Sequence, residues 1–118
     1  MRKNNRILGS EAEDMACHYL EKMNYTILEK NFRCRSGEID VIAFHEGAIV
    51  FVEVKYRKDC KLGHPREAVH DYKQRNITKV ASYYLLTKGK YDKSCRFDVV
   101  EIIGEDIKLI QNAFDAVY

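Results

Sequence analysis

The chain has a single proline, Pro65, and no tryptophan. It has no internal repeats, no low-complexity segment and no evident linker, so all 118 residues read as one domain, 1–118. That length buries a sizeable core. No apolar run approaches the roughly 20 residues that a membrane span needs. The opening segment, MRKNNRILGSEAEDMA, is basic but lacks the apolar stretch of a secretory signal. These absences predict an intracellular, cytoplasmic protein with no membrane partner.

Cysteine is present but unpatterned. None of Cys17, Cys34, Cys60 and Cys95 forms a CxxC pair, and no cysteine and histidine sit at zinc-finger spacing. Four reduced thiols are expected. His18, His45, His64 and His70 fit no Ser-His-Asp or HExxH arrangement, and His45 reads as part of a turn. Net charge is only +2, yet residues 55–79 hold eight basic side chains against three acidic ones. Such an excess could meet a phosphate backbone, but taken alone it favours a solvated surface.

What is there is a regular alternation of elements. Residues 9–23 have an apolar face of Ala12, Met15, Ala16, Tyr19, Leu20 and Met23 at helical spacing. Ser10 and Glu13 stand at capping-box spacing. Residues 25–33 read as a strand, and 37–55 as a hairpin. Residues 58–67, with Pro65, read as a loop. A second helix is predicted over 66–88, with Val69, Tyr72, Ile77, Val80, Ala81 and Tyr84 buried and Gly89 as its stop. Tyr83 is assigned to the core with Tyr84. Residues 96–103 form a strand whose Arg96 and Asp98 make a structural ion pair. IKLIQNAF is a last strand running into a short terminal helix. The order is α-β-β-β-α-β-β, an α/β domain with a mixed β-sheet flanked by helices.

The hairpin GEIDVIAFHEGAIVFVEVK carries four charges among apolar residues. Glu46-Gly47 sits between its two runs, so a two-residue turn pairs His45 with Ala48. That register sets Asp40 opposite Glu53 and Glu38 opposite Lys55. Side chains alternate. One face holds Ile39, Val41 and Ala43 against Val50, Val52 and Val54. The other gathers all four charges at the end remote from the turn. Two opposed carboxylates do not both stay ionised cheaply. One holds a proton, or lysine or arginine neutralises the pair, or a divalent cation binds both. A buried salt-bridge network of Glu38, Asp40, Glu53 and Lys55 is the structural alternative.

Asp40, then Glu53-Val54-Lys55, resembles the D-x(n)-(D/E)-x-K signature of the PD-(D/E)xK nucleases. The segments GSEAEDMACHYL, NFRCRSGEID, FVEVKYR, HDYKQRNITKVASYYL and RFDVV extend the likeness from about Gly9 to Phe114. Together they resemble the YraN family of small predicted endonucleases, and the core is similar to archaeal Holliday-junction resolvases. Two departures stand out: Ala12 replaces the family's glycine before Glu13, and Ile39 replaces the superfamily's proline before Asp40.

The resemblance implies a restriction endonuclease-like core and Mg²⁺-dependent cleavage of phosphodiesters in DNA, including branched, Holliday-junction-like DNA, with Mn²⁺ as a substitute. It implies Asp40 and Glu53 as metal ligands, Glu13 as a further one, and Lys55 as the catalytic lysine. Glu38 is then an additional site carboxylate or a partner of Lys55. Gln74 and Lys73 point towards the phosphates or lie on an exposed helical face. Arg57, Lys58 and Lys61 contact the nucleic-acid backbone or form a solvated loop. Branched-DNA resolvases suggest a homodimer. The alternative function is a nucleic-acid-binding module that keeps the fold without cleaving.

Overall fold

A computed structural model describes residues 5–57, 71–90 and 92–118. The elements are α1 (Asn5–Lys22), β1 (Thr26–Cys34), β2 (Gly37–His45), β3 (Ala48–Arg57), α2 (Asp71–Thr87), β4 (Ser94–Ile103) and β5 (Asp106–Phe114). The order is the predicted α-β-β-β-α-β-β, compatible with a restriction endonuclease-like core. The predicted loop 58–67 and the predicted first turn of the second helix fall outside the described residues, as do Lys58, Lys61, Cys60, His64, Val69 and His70.

The five strands lie side by side in sequence order. Every neighbouring pair is antiparallel except β3 and β4, which run parallel. A parallel pair needs a crossover, and α2 lies within it. The central strands bury both faces, so each face needs a helix. On one, Ala12, Ala16, Cys17 and Leu20 of α1 pack on Val41, Ala43, Val50, Val52, Val100 and Ile102. The two alanines keep α1 close to the sheet. On the other, Ile77, Val80, Ala81 and Tyr84 of α2 pack on Ile39, Ile42, Ile49, Phe51 and Phe97.

Both helices stop on a left-handed residue. Gly89 has φ 66°, with Lys90 N–H donating to Leu85 O at 2.7 Å and Gly89 N–H to Leu86 O at 3.3 Å. Asn24 does the same for α1 at φ 71°, with Tyr25 N–H on Leu20 O at 3.0 Å. This double bonding satisfies carbonyls that a helix end leaves open.

Several expectations need correction. Helix α1 starts at Asn5 and runs through Ser10, so the Ser10/Glu13 capping box does not form. Met23 lies past the end of α1 and is 44% exposed. Tyr72 and Tyr83 are exposed, because the buried stripe of α2 is formed by Ile77, Val80, Ala81 and Tyr84 instead. No terminal helix follows β5. The tail instead runs back over α2, with Val117 N–H donating to Thr78 Oγ1 at 2.9 Å.

The hairpin register is the predicted one, from His45↔Ala48 to Val41↔Val52. Glu46 and Gly47 both have positive φ, 50° and 83°. That is the pairing a two-residue type I′ turn requires. Glutamate is poorly suited to this conformation, and asparagine tolerates it better. Glu46→Asn is therefore expected to stabilise the protein by about 0.5 kcal/mol, read as a higher urea midpoint. A midpoint that falls would mean that the Glu46 backbone carries no strain worth relieving.

Alternation fails at one place. Ile39 was assigned to the face of Val41 and Ala43, but it packs with Ile42 under α2. Asn31, with φ 53°, stands opposite Asp40 between the pairs Lys30↔Val41 and Phe32↔Ile39. A left-handed residue in a strand sharpens the local twist. Phe32 and Ile39 turn together to the α2 side. The outer strands are kinked elsewhere as well. Register slips at Leu28 in β1, and β5 sets Gln111–Ala113 against Asp98 alone, with Asn112 at φ 52°.

Candidate functional site

The twist at Asn31 lies where β2 leaves β3. The recorded ladder between them ends at Val41↔Val52. One step further, the Asp40 carboxylate takes over the role of a ladder acceptor, receiving Val54 N–H at 2.8 Å. This hydrogen bond ties Asp40 to the residue after Glu53. Strand pairing and twist thus bring the two carboxylates together, as the register count expects.

Glu53 is buried, 4% exposed. Its Oε2 accepts two ammonium groups, Lys55 Nζ at 3.3 Å and Lys73 Nζ at 3.1 Å. The Asp40 carboxyl is pushed up to about 8. Burial is the main cause, followed by the charge of Glu53, a hydrogen bond to Glu53 and the charge of Glu13; the Val54 N–H opposes them. Of the three ways to relieve opposed carboxylates, this protein uses two at once. Asp40 holds a proton near neutral pH, and Glu53 is neutralised by lysine. Burial pulls the Lys73 ammonium down, but the charge of Glu53, its hydrogen bond to Lys73 and the charges of Asp40 and Glu38 together outweigh it, and the net direction is up.

Other predicted residues are distributed around this core. Glu38 does not take Lys55 as its recorded ion-pair partner. Arg33, its register partner on β1, donates through Nε at 2.9 Å instead. Cross-strand pairing with β1 thus gives Glu38 its own cation, while its charge still acts on Lys73. Glu13, on α1, acts on Asp40 through its charge. Gln74 is half-buried beside Lys73 on α2. Arg57 closes β3, and its carbonyl receives Gly104 N–H at 2.9 Å. Cys17, Cys34 and Cys95 are free thiols.

One residue escaped the sequence reading. Glu101 is 2% exposed and pairs with Lys55 across the parallel β3–β4 ladder. Its signal was the one that exposed Glu53: a carboxylate inside an apolar strand, here VVEII.

Among the described residues, no group of three or more histidine, cysteine, aspartate or glutamate side chains forms a ready-made cage. The donor set is two carboxylate side chains, Asp40 and Glu53. Oxygen ligands of this number, completed by water or substrate, fit Mg²⁺ or Mn²⁺; nitrogen and sulfur ligands of the zinc type are lacking among them. The proton on Asp40 and the lysines on Glu53 mark a site that draws positive charge.

A second polar cluster gathers around Asp98, the β4 register partner of Val52 and so one step from Glu53 on the neighbouring strand. Asp98, fully buried, accepts from Tyr25 Oη at 2.7 Å, Arg96 Nε at 2.9 Å and Asn112 N–H at 2.9 Å. Arg96 reaches Nδ1 of His45 at 2.9 Å, and His45 stacks on Tyr25 with ring centroids 4.0 Å apart. The predicted Arg96–Asp98 pair is present. His45 ends β2 beside the turn, as expected, but buried within this network. Burial and the Asp98 hydrogen bond push the Tyr25 hydroxyl up to about 12. A recess of about 230 Å³ lined by Met15, His18, Tyr19, Lys22 and Ile107 belongs to the α1 layer, apart from both clusters. Among the described residues no helix is long and apolar enough to cross a membrane.

Comparison with known proteins adds one shared feature. The family model described as "Uncharacterised protein family UPF0102" matches residues 12–102. Similar proteins include a UPF0102 protein of Lachnoclostridium phytofermentans, 49% identical over 114 residues, covering 96% of this chain and 97% of that one. A UPF0102 protein of Geobacter sulfurreducens is 45% identical, with coverages of 97% and 93%. Another, of Clostridium perfringens, is 49% identical, with coverages of 86% and 84%.

Proposed function

This chain belongs to the UPF0102 family, and we propose that it is a divalent-cation-dependent endonuclease that hydrolyses phosphodiester bonds in DNA, with branched, junction-like DNA as the substrate class. The observation that carries this reading is the pair Asp40 and Glu53, set together at the end of the β2–β3 ladder with Lys55 on Glu53.

Asp40 and Glu53 would hold Mg²⁺. Bound there, the cation supplies Lewis-acid polarisation of a phosphoryl oxygen and acidifies a bound water. The protein's own residues do the rest. Val54 N–H fixes one Asp40 oxygen, so the carboxylate is held in place before any ligand arrives. Lys55, two residues beyond Glu53 on the same strand face, donates to phosphate oxygens as negative charge grows on them. Arg57 follows at the same alternation and meets the neighbouring backbone phosphate. Lys58 and Lys61 extend this basic run in sequence.

The test is a cleavage panel of duplex, single-stranded, flap and four-way-junction DNA with Mg²⁺ or Mn²⁺. Wild type is expected to cut the branched substrates. Lys55→Met should lower the rate by about a hundredfold, the loss typical of removing one donor to a developing charge. Activity that survives in Lys55→Met would place the chemistry elsewhere. A wild type that binds junctions without cutting any substrate would favour the non-cleaving binding module.

A further inference from the structure

Glu53 carries more positive charge than a single carboxylate calls for. Lys55 is its near neighbour on β3 and already lies 3.3 Å from Oε2. Lys73 comes from a different layer, α2, and reaches the same oxygen at 3.1 Å. The two lysines differ in their surroundings. Lys55 has a side chain 23% exposed, whereas that of Lys73, on α2, is 43% exposed. Two ammonium groups on one oxygen repel each other.

We propose that Lys73 is an internal counter-cation of Glu53, displaced when a divalent cation binds and so made available to a phosphate. The inference rests on the cation-binding reading of Asp40 and Glu53. On cation binding the four-residue cluster acquires two surplus positive charges. Lys73 then sees net repulsion where it saw attraction. Its flexible four-carbon stem lets the ammonium leave without moving α2. Lys55, two residues from Glu53 on the same strand and less exposed, stays. The surplus is the charge that an incoming phosphodiester backbone neutralises.

Calorimetric titration with Mn²⁺ tests this on the intact protein. Lys73→Met removes the competitor, and its Mn²⁺ affinity should rise by about threefold to tenfold, the scale of an ion pair half open to water. Lys73→Arg keeps the charge and should stay within about twofold of wild type. A second measurement needs no variant: the rate of reductive methylation at Lys73, followed by mass spectrometry, should increase several-fold on adding Mn²⁺. Unchanged or weaker Mn²⁺ binding in Lys73→Met would overturn the proposal, as would a methylation rate indifferent to Mn²⁺. In either case measurable binding to wild type would leave the cation site itself standing. Absence of Mn²⁺ binding to wild type would overturn both.

Discussion

Asp40→Asn is expected to make the metal-free protein more stable than wild type at pH 9, by about 2–4 kcal/mol, while lowering cleavage by about three orders of magnitude. The stability half follows from linkage. An unperturbed aspartate titrates near 4, whereas burial and the charge of Glu53 hold Asp40 at about 8. Between those values the folded protein binds a proton that the unfolded chain releases. This contribution to stability is full below about pH 4 and is lost as pH rises, with the loss complete above about 8. Asparagine has no charge to gain. Its side-chain oxygen still accepts the Val54 N–H, so the strand junction is kept. The catalytic half follows because a neutral amide is a poor ligand for a hard cation.

The measurement is a pair of urea titrations at pH 5 and pH 9 without metal, repeated with Mg²⁺. Wild type should lose stability between the two pH values and recover part of it with Mg²⁺. Asp40→Asn should show a smaller pH loss and no Mg²⁺ response. Equal pH dependence in the two proteins would mean that Asp40 and Glu53 do not share a buried charge problem.

The second large effect lies in the buried polar cluster around Asp98 of β4. Asp98→Ala should destabilise the fold by about 3–5 kcal/mol, because it strands a mostly buried guanidinium and the polar groups around it. The Arg96 side chain is only 18% exposed and spends Nε and a terminal nitrogen on Asp98. Tyr25 would lose its shortest hydrogen bond, and the Asn112 N–H its acceptor at the kink of β5. A domain of this size is stable by only about 5–15 kcal/mol, so the variant would lie near the limit of folding. Asp98→Asn keeps an acceptor and should lose less. A loss below 1 kcal/mol would show that the network rearranges around the gap.

The parts of this structure legible in the sequence are those set by short-range geometry. Strand alternation and the Glu46-Gly47 turn were enough to pair Val41 with Val52 and to predict Asp40 beside Glu53. Gly89 gave the end of α2, and the spacing of Ile77, Val80, Ala81 and Tyr84 its buried stripe. What stayed hidden depends on neighbours distant in the chain. Ile39 changes face because Asn31, on another strand, adopts a left-handed conformation opposite Asp40. Glu38 goes to Arg33 because β2 has two neighbours and the hairpin count considers one. Lys73 meets Glu53 only after α2 crosses over the sheet. Tyr25, just before β1, His45 and Gln111 join Arg96 and Asp98 from separate parts of the chain, with no local pattern to announce it.

The kinks in the outer strands also bear on how this molecule meets copies of itself. An exposed sheet edge is a template for another strand when its N–H and C=O groups form a long straight row. β1 is broken by the slip at Leu28 and the left-handed Asn31, and β5 by Asn112. Lys30 and Arg33 on one edge and Lys108 on the other add like charges that would face each other across a joined pair. The sheet is therefore closed to growth at both sides. A rise in concentration should not feed strand-to-strand aggregation.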